Sequence, residues 1–254
     1  MSNTYADEPL LAVDIGNTST HFASMAKGRV THAFRLPTKG LIEEALPALE
    51  RRAAFKAPAA AIASVVPSQG RRLRSLLSRR FGLDTHLIGE DLKPPIVNRY
   101  SRPRQVGIDR LMNALAAWRR TRRETIIIDF GTAITFDVVS RKGEYLGGII
   151  APGIEISIEA LFQKTALLPK IRLAHPRHVI GRDTVESIRS GCAYGIGGLC
   201  DRVVEEIKRK PGFKPFVLAT GGYADFMRRY CKAIQATDPD LTLKGIYWTF
   251  ISRR

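Results

Sequence analysis

The chain writes nearly the same acidic, glycine-bearing turn twice, and this repetition limits its fold more than any other feature. Near the N-terminus the apolar run Leu10-Leu11-Ala12-Val13 enters Asp14-Ile15-Gly16-Asn17-Thr18-Ser19-Thr20. In the second half Thr125-Ile126-Ile127-Ile128 enters Asp129-Phe130-Gly131-Thr132-Ala133-Ile134-Thr135. Each copy is an apolar strand, then Asp-x-Gly, then small hydroxyl residues, then a stretch suited to a returning strand. Glycine lets the backbone approach an anion closely, Ser and Thr donate hydrogen bonds, and a carboxylate can hold a cation that offsets phosphate charge. Asp-Gly between strands is also the ordinary signal for a tight hairpin, so one copy alone reads as a structural turn. Two copies with a shared hydroxyl-rich tail point to two homologous halves gripping one nucleotide, as in a kinase or an ATPase.

The segments between the turns repeat as well. In the first half, strands are predicted at Leu10 to Asp14, His21 to Met25 and Arg29 to Arg35. A helix follows from Leu41 to about Ala54, with Leu41, Ala45, Leu46 and Leu49 at helical spacing. Ala59 to Val66 reads as a buried strand, Gln69 to Arg80 as an amphipathic helix and Thr85 to Ile88 as a strand. Lys93-Pro94-Pro95 opens a loop to Pro103, and Gln105 to Arg119 returns to helix. The second half has strands at Thr125 to Asp129, Ile134 to Val139 and Glu144 to Ile150, then a helix after Pro152-Gly153 through Phe162. Asp183 to Lys208 reads as helix interrupted near Gly195 to Gly198. Phe216 to Thr220 is a strand closed by Gly221-Gly222, with a helix after it. Three strands, helix, strand, helix in each half is the ribonuclease H-like pattern of the actin-type ATPases. The expected fold is α/β, with two such domains at 1–120 and 121–254 and a nucleotide cleft between them.

Composition narrows the setting. At 254 residues and 44% hydrophobic, the chain can bury two medium cores. Its apolar runs are far short of a membrane span, and Met1 to Pro9 lacks a signal peptide's apolar stretch. Cys192, Cys200 and Cys231 are an odd count without CxxC spacing and read as reduced thiols of a cytoplasmic protein. The net charge of +16 sits in dispersed clusters such as Arg71-Arg72, Arg79-Arg80, Arg119-Arg120 and Arg122-Arg123. With no aromatic interleaving and no binding motif, they read as a solvated basic surface, and no specific nucleic acid is expected.

Between the two turns lies Arg104-Gln105-Val106-Gly107-Ile108-Asp109-Arg110-Leu111-Met112-Asn113. Gly107 can end the loop and let a substrate approach the backbone. Asp109 and Arg110 then stand at a helix N-terminus, where amides and dipole favour an anion. A carboxylate beside a guanidinium suits a kinase acceptor site, with Asp taking a hydroxyl proton and Arg holding a carboxylate or phosphate. A plain helix cap beside a surface ion pair fits the same spacing.

On these segments the chain resembles the type III pantothenate kinases, also called the Bvg accessory factor family, over almost its full length. The matching stretches are Asp14 to Thr18, Ser64-Val65-Val66-Pro67, Gly107 to Arg110, Asp129 to Thr135 and Gly147 to Gly153. Gly181 to Val185, Ala219-Thr220-Gly221-Gly222 and Asp238 to Gly245 complete the set in the same order. The resemblance implies ATP-dependent phosphorylation of pantothenate, the first step toward coenzyme A. It implies that Asp14, Ile15, Gly16, Asn17, Thr18, Ser19, Thr20 and His21 cradle ATP, with Asp14 near magnesium and Thr132 a further ATP contact. Asp109 is the implied proton acceptor. Tyr100, Gly107, Ile108, Asp109, Arg110 and Thr184 are the implied pantothenate contacts, and Asp129 the ligand of a monovalent cation, potassium or ammonium. A homodimer is implied, with some substrate-site residues supplied across its interface. Arg102, Asp183 and Ser19 depart from the family's usual pattern without removing a catalytic group.

Two other readings fit parts of the chain. A catalytically idle regulator would suit the basic charge, but has no need of Asp14, Asp109 and Asp129 together. A related kinase acting on a sugar or acetate would share the hairpins, but not Gly107 to Arg110 or Leu241-Thr242-Leu243-Lys244-Gly245.

Overall fold

The computed structural model describes residues 9–52, 55, 57–210 and 212–253. Two compact units emerge: Met1–Arg120 with Gly143–Tyr145 and Asp240–Arg254, and Thr121–Lys142 with Leu146–Pro239. The first unit opens with strands β1 (Leu10–Ile15), β2 (Ser19–Ala26) and β3 (Arg29–Pro37) and helix α1 (Leu41–Glu50). The predicted end of α1 at Ala54 lies outside the described residues. Strand β4 (Ala59–Ser64), helix α2 (Pro67–Phe81), strand β5 (Asp84–Leu87), the short strand β6 (Val97–Asn98) and helix α3 (Ile108–Thr121) follow. The main sheet has the order β3-β2-β1-β4-β5. β1 pairs antiparallel with β2 and parallel with β4, as the apolar runs of both predict.

The second unit holds β7 (Thr125–Phe130), β8 (Ala133–Val139), β9 (Glu144–Pro152), α4 (Ile154–Lys164), α5 (Thr184–Ser190), α6 (Ile196–Lys208), β10 (Phe216–Thr220), α7 (Ala224–Met227) and β11 (Ala236–Thr237). Its strands run in the order β9-β8-β7-β10-β11. That is the arrangement of the first sheet repeated, with β7 in the place of β1, and it fulfils the expectation of two ribonuclease H-like halves.

β1 is buried on both faces because layers cover both sides of its sheet. Leu11, Val13, Ile15, Ile62, Leu73 and Leu77 form one core, with Leu41, Ala45 and Leu49 of α1. The alternate set Leu10, Ala12, Ala61 and Ala63 is buried too, and the C-terminal helix α8 (Leu241–Ile251) packs on β1 and β4. α8 is apolar on nearly every side, so it cannot rest on a wet surface. Gly245 lets it close on α3, since a Cβ there would collide with the Met112 carbonyl. The Thr242 hydroxyl donates to Asn113 Oδ1 at 2.8 Å. The last segment therefore folds with the first unit.

Two local expectations are corrected. The loop from Lys93 to Pro103 contains β6, which pairs in parallel with Glu144 and Tyr145. A two-residue strand is too short to show periodicity, and its partner lies far along the chain. The interruption of the long helix falls earlier than Gly195 to Gly198, as a π-helical turn over Gly191–Gly195.

Candidate active site

In the first hairpin Asp14 stands opposite His21, and Ile15 opposite Thr20, leaving Gly16, Asn17, Thr18 and Ser19 to make the turn. The turn closes through the Gly16 amide, which donates to Ser19 O at 3.0 Å. Thr38, just beyond β3, braces it from behind. Its amide donates to Thr18 O at 3.0 Å and its hydroxyl to Gly16 O at 2.8 Å. Asn17 and Thr18 are exposed at the tip, while Thr20 is buried and shares a 3.0 Å hydroxyl contact with Thr38. Sequence reasoning missed Thr38; a lone Thr after a strand gives no signal of a brace. His21 faces Arg35 on β3. Burial, then the Arg35 charge, lowers its pKa to about 4, so at neutral pH this ring adds no positive charge beside the turn.

The second hairpin is one residue tighter. Phe130 stands opposite Ile134, so Gly131, Thr132 and Ala133 turn the chain, and the Gly131 amide donates to Ala133 O at 3.2 Å. Gly131 and Thr132 are exposed. Glycine supplies close approach on both flanks. A Cβ at Gly153 would collide with the Thr132 carbonyl, and one at Gly221 with the Asp129 carboxylate. Gly221 also has φ 91°, a left-handed conformation that favours glycine.

Asp109 is the second residue of α3, and its Oδ1 accepts a 2.9 Å hydrogen bond from the Arg110 amide. A Cβ at Gly107 would meet Asp109 Oδ1, so glycine there leaves the carboxylate in this position. Burial pushes the Asp109 pKa up, against the Arg110 amide and guanidinium, which pull it down. Arg110 is buried rather than a surface ion-pair partner. Its guanidinium lies 5.9 Å from the centroid of the Tyr145 ring, which in turn lies 6.4 Å from the Tyr100 ring. Tyr100 is itself fixed by its amide, which donates to Asn98 Oδ1 at 3.0 Å. The fold thus gathers Tyr100, Gly107, Ile108, Asp109 and Arg110 in one region of the first unit, around Tyr145. That tyrosine was missed, since an aromatic on a strand reads as core.

In the second unit Thr184 begins α5 and is exposed. Asp183 caps that helix, its Oδ1 accepting from the Glu186 amide at 2.8 Å, a task asparagine performs about equally well. Thr184 also lines an apolar groove with Leu161, Leu168, Ile188, Cys192, Ile196 and Leu199.

The family model for type III pantothenate kinase matches residues 10–206. The chain belongs to the type III pantothenate kinase family. A type III pantothenate kinase from Myxococcus xanthus is 40% identical over 245 residues, covering 93% of this chain and 96% of that one. Among solved structures, a Campylobacter jejuni protein described as a conserved Baf family transcriptional activator aligns with TM-score 0.60 at 21% identity, over 94% of this chain and 96% of that one. An Arthrobacter polyphosphate/ATP-glucomannokinase aligns with TM-score 0.51 at 16% identity, over 97% and 99%. At such identities the two structures speak for the shared fold alone.

Proposed function

We propose that the protein transfers the terminal phosphoryl group of ATP to the primary hydroxyl of pantothenate, giving 4'-phosphopantothenate for coenzyme A synthesis. The observation that carries this reading is Asp109, desolvated at the start of α3 in a chain of this family. A raised pKa makes its carboxylate a stronger proton acceptor. In phosphoryl transfer such a base orients the hydroxyl and takes its proton late. Gly107, Ile108 and Arg110 hold pantothenate beside it, with Tyr100, while Thr184 contributes a further contact.

Residues Asp14 to His21 bind ATP, and Thr132 adds a contact from the second hairpin. The turns fit phosphate: both tips are exposed and lack bulky side chains, and glycines stand where a Cβ would meet neighbouring atoms. Among the described residues no three or more His, Cys, Asp or Glu side chains converge on one point. Magnesium of the kind held by one carboxylate and substrate phosphates suits Asp14. When bound, it neutralises charge on the transferring group. Asp129 suits a monovalent cation, potassium or ammonium, beside those phosphates.

The working unit is a homodimer in the cytoplasm. Leu146, Ile149, Ile150, Ile156, Leu161 and Phe162 are exposed on β9 and α4, an apolar surface of the kind a second copy covers. Among the described residues no helix is long and apolar enough to cross a membrane.

ATP consumption over a panel of acceptors, with magnesium and with sodium, potassium or ammonium in turn, tests this reading. Pantothenate is expected to be turned over, faster with potassium or ammonium than with sodium. Turnover of a sugar or acetate with none of pantothenate would overturn the acceptor, and equal rates in all three salts the role of Asp129.

A further inference from the structure

Glycine backbone closes on the second hairpin from both flanks. Gly153, where β9 runs into α4, lies against the Thr132 carbonyl, and Gly221, after β10, lies against Asp129 and the Phe130 backbone. Beyond each glycine stands one polar side chain. Glu155 is in the first turn of α4. Tyr223 precedes α7, and its amide donates to Phe130 O at 3.4 Å. The Tyr223 hydroxyl donates to Glu155 Oε1 at 2.5 Å. This hydrogen bond ties the β9–α4 flank to the β10–α7 flank, with the turn carrying Asp129 and Thr132 between them. Burial, then the neighbouring Glu155, raises the Tyr223 pKa to about 12, so the phenol stays protonated and remains a donor across the working pH range.

We infer that Tyr223 and Glu155 are a positioning pair: they close a clasp on the second hairpin and so set its affinity for ATP phosphate. Neither side chain is placed at the reacting atoms; both act through the turn that they hold. The inference rests on the reading that this hairpin contacts ATP.

The test is calorimetric binding of AMP-PNP with magnesium and potassium, which needs no acceptor. Loss of this exposed phenol–carboxylate hydrogen bond should weaken binding about three- to tenfold. Tyr223→Phe and Glu155→Leu should each show that loss, and the double variant no more than either. Glu155→Gln keeps an accepting oxygen and should bind within about twofold of the parent. Glu155 is exposed, so its variants are expected to fold whatever Tyr223→Phe does. Parent-like affinity in Tyr223→Phe and Glu155→Leu, or a Glu155→Gln as weak as Glu155→Leu, would overturn the inference. A parent that binds AMP-PNP but leaves pantothenate untouched would remove the acceptor assignment and leave the clasp standing.

Discussion

Asp109 combines two properties that pull against each other, proton affinity for catalysis and a cost to folding. Its folded pKa is raised, by burial first. The native state therefore binds the proton more tightly than the unfolded chain, and stability falls as pH rises through the carboxylate range. Asp109→Asn removes a half-buried charge and keeps an oxygen for the Arg110 amide. The variant should melt no lower than the parent at neutral pH, while turnover falls roughly 10²–10⁴-fold. Paired melting and kcat measurements check both; a stable variant with parent-like turnover would reduce Asp109 to a cap. His21 carries the opposite sign. Its pKa falls to about 4, so the unfolded chain binds the extra proton between there and the ordinary value of about 6.5. Stability from this group is complete above that window and lost as pH falls through it. His21→Asn should flatten the melting-temperature profile between about pH 4 and 6.5, and an unchanged slope would locate the acid sensitivity elsewhere.

At the scale of elements, what could be read in advance was what repeats or alternates. β1 and β7, with their acidic turns, stand out as apolar runs ending in Asp-x-Gly, and α2 and α3 show helical spacing. The features that escaped depend on distant partners. β6 exists because Glu144 and Tyr145 pair with it, Thr38 matters because the turn above it needs bracing, and Tyr145 because Arg110 lies over it. The α6 glycines make the same point. Gly197 and Gly198 look alike in sequence, yet a Cβ at Gly197 would collide with the Tyr230 carbonyl, while one at Gly198 meets nothing within 4 Å. Gly197→Ala should therefore cost about 1–3 kcal/mol by overpacking. Gly198→Ala should add about 0.5–1 kcal/mol through helix propensity. Denaturant melts of the two variants distinguish them, and equal effects would contradict the packing described for α6.

For the whole molecule, the net charge of +16 is more locally balanced than the bare number suggests. On α2, Arg71 pairs with Glu90, Arg72 with Glu43, Arg74 with Asp91 and Arg80 with Glu50, all at the surface. Exposed pairs of this kind contribute at most about 1 kcal/mol each, so they shape the potential around the protein more than its stability. A basic field of this sort draws anionic substrates toward the protein, and ATP and pantothenate are both anions. Phosphorylation of pantothenate is read out by mass detection of its product. Purified protein with ATP, magnesium, potassium and pantothenate should yield 4'-phosphopantothenate in proportion to enzyme and time, and Asp109→Asn should yield almost none. ATP consumed with no phosphopantothenate formed, or equal product from parent and variant, would contradict it.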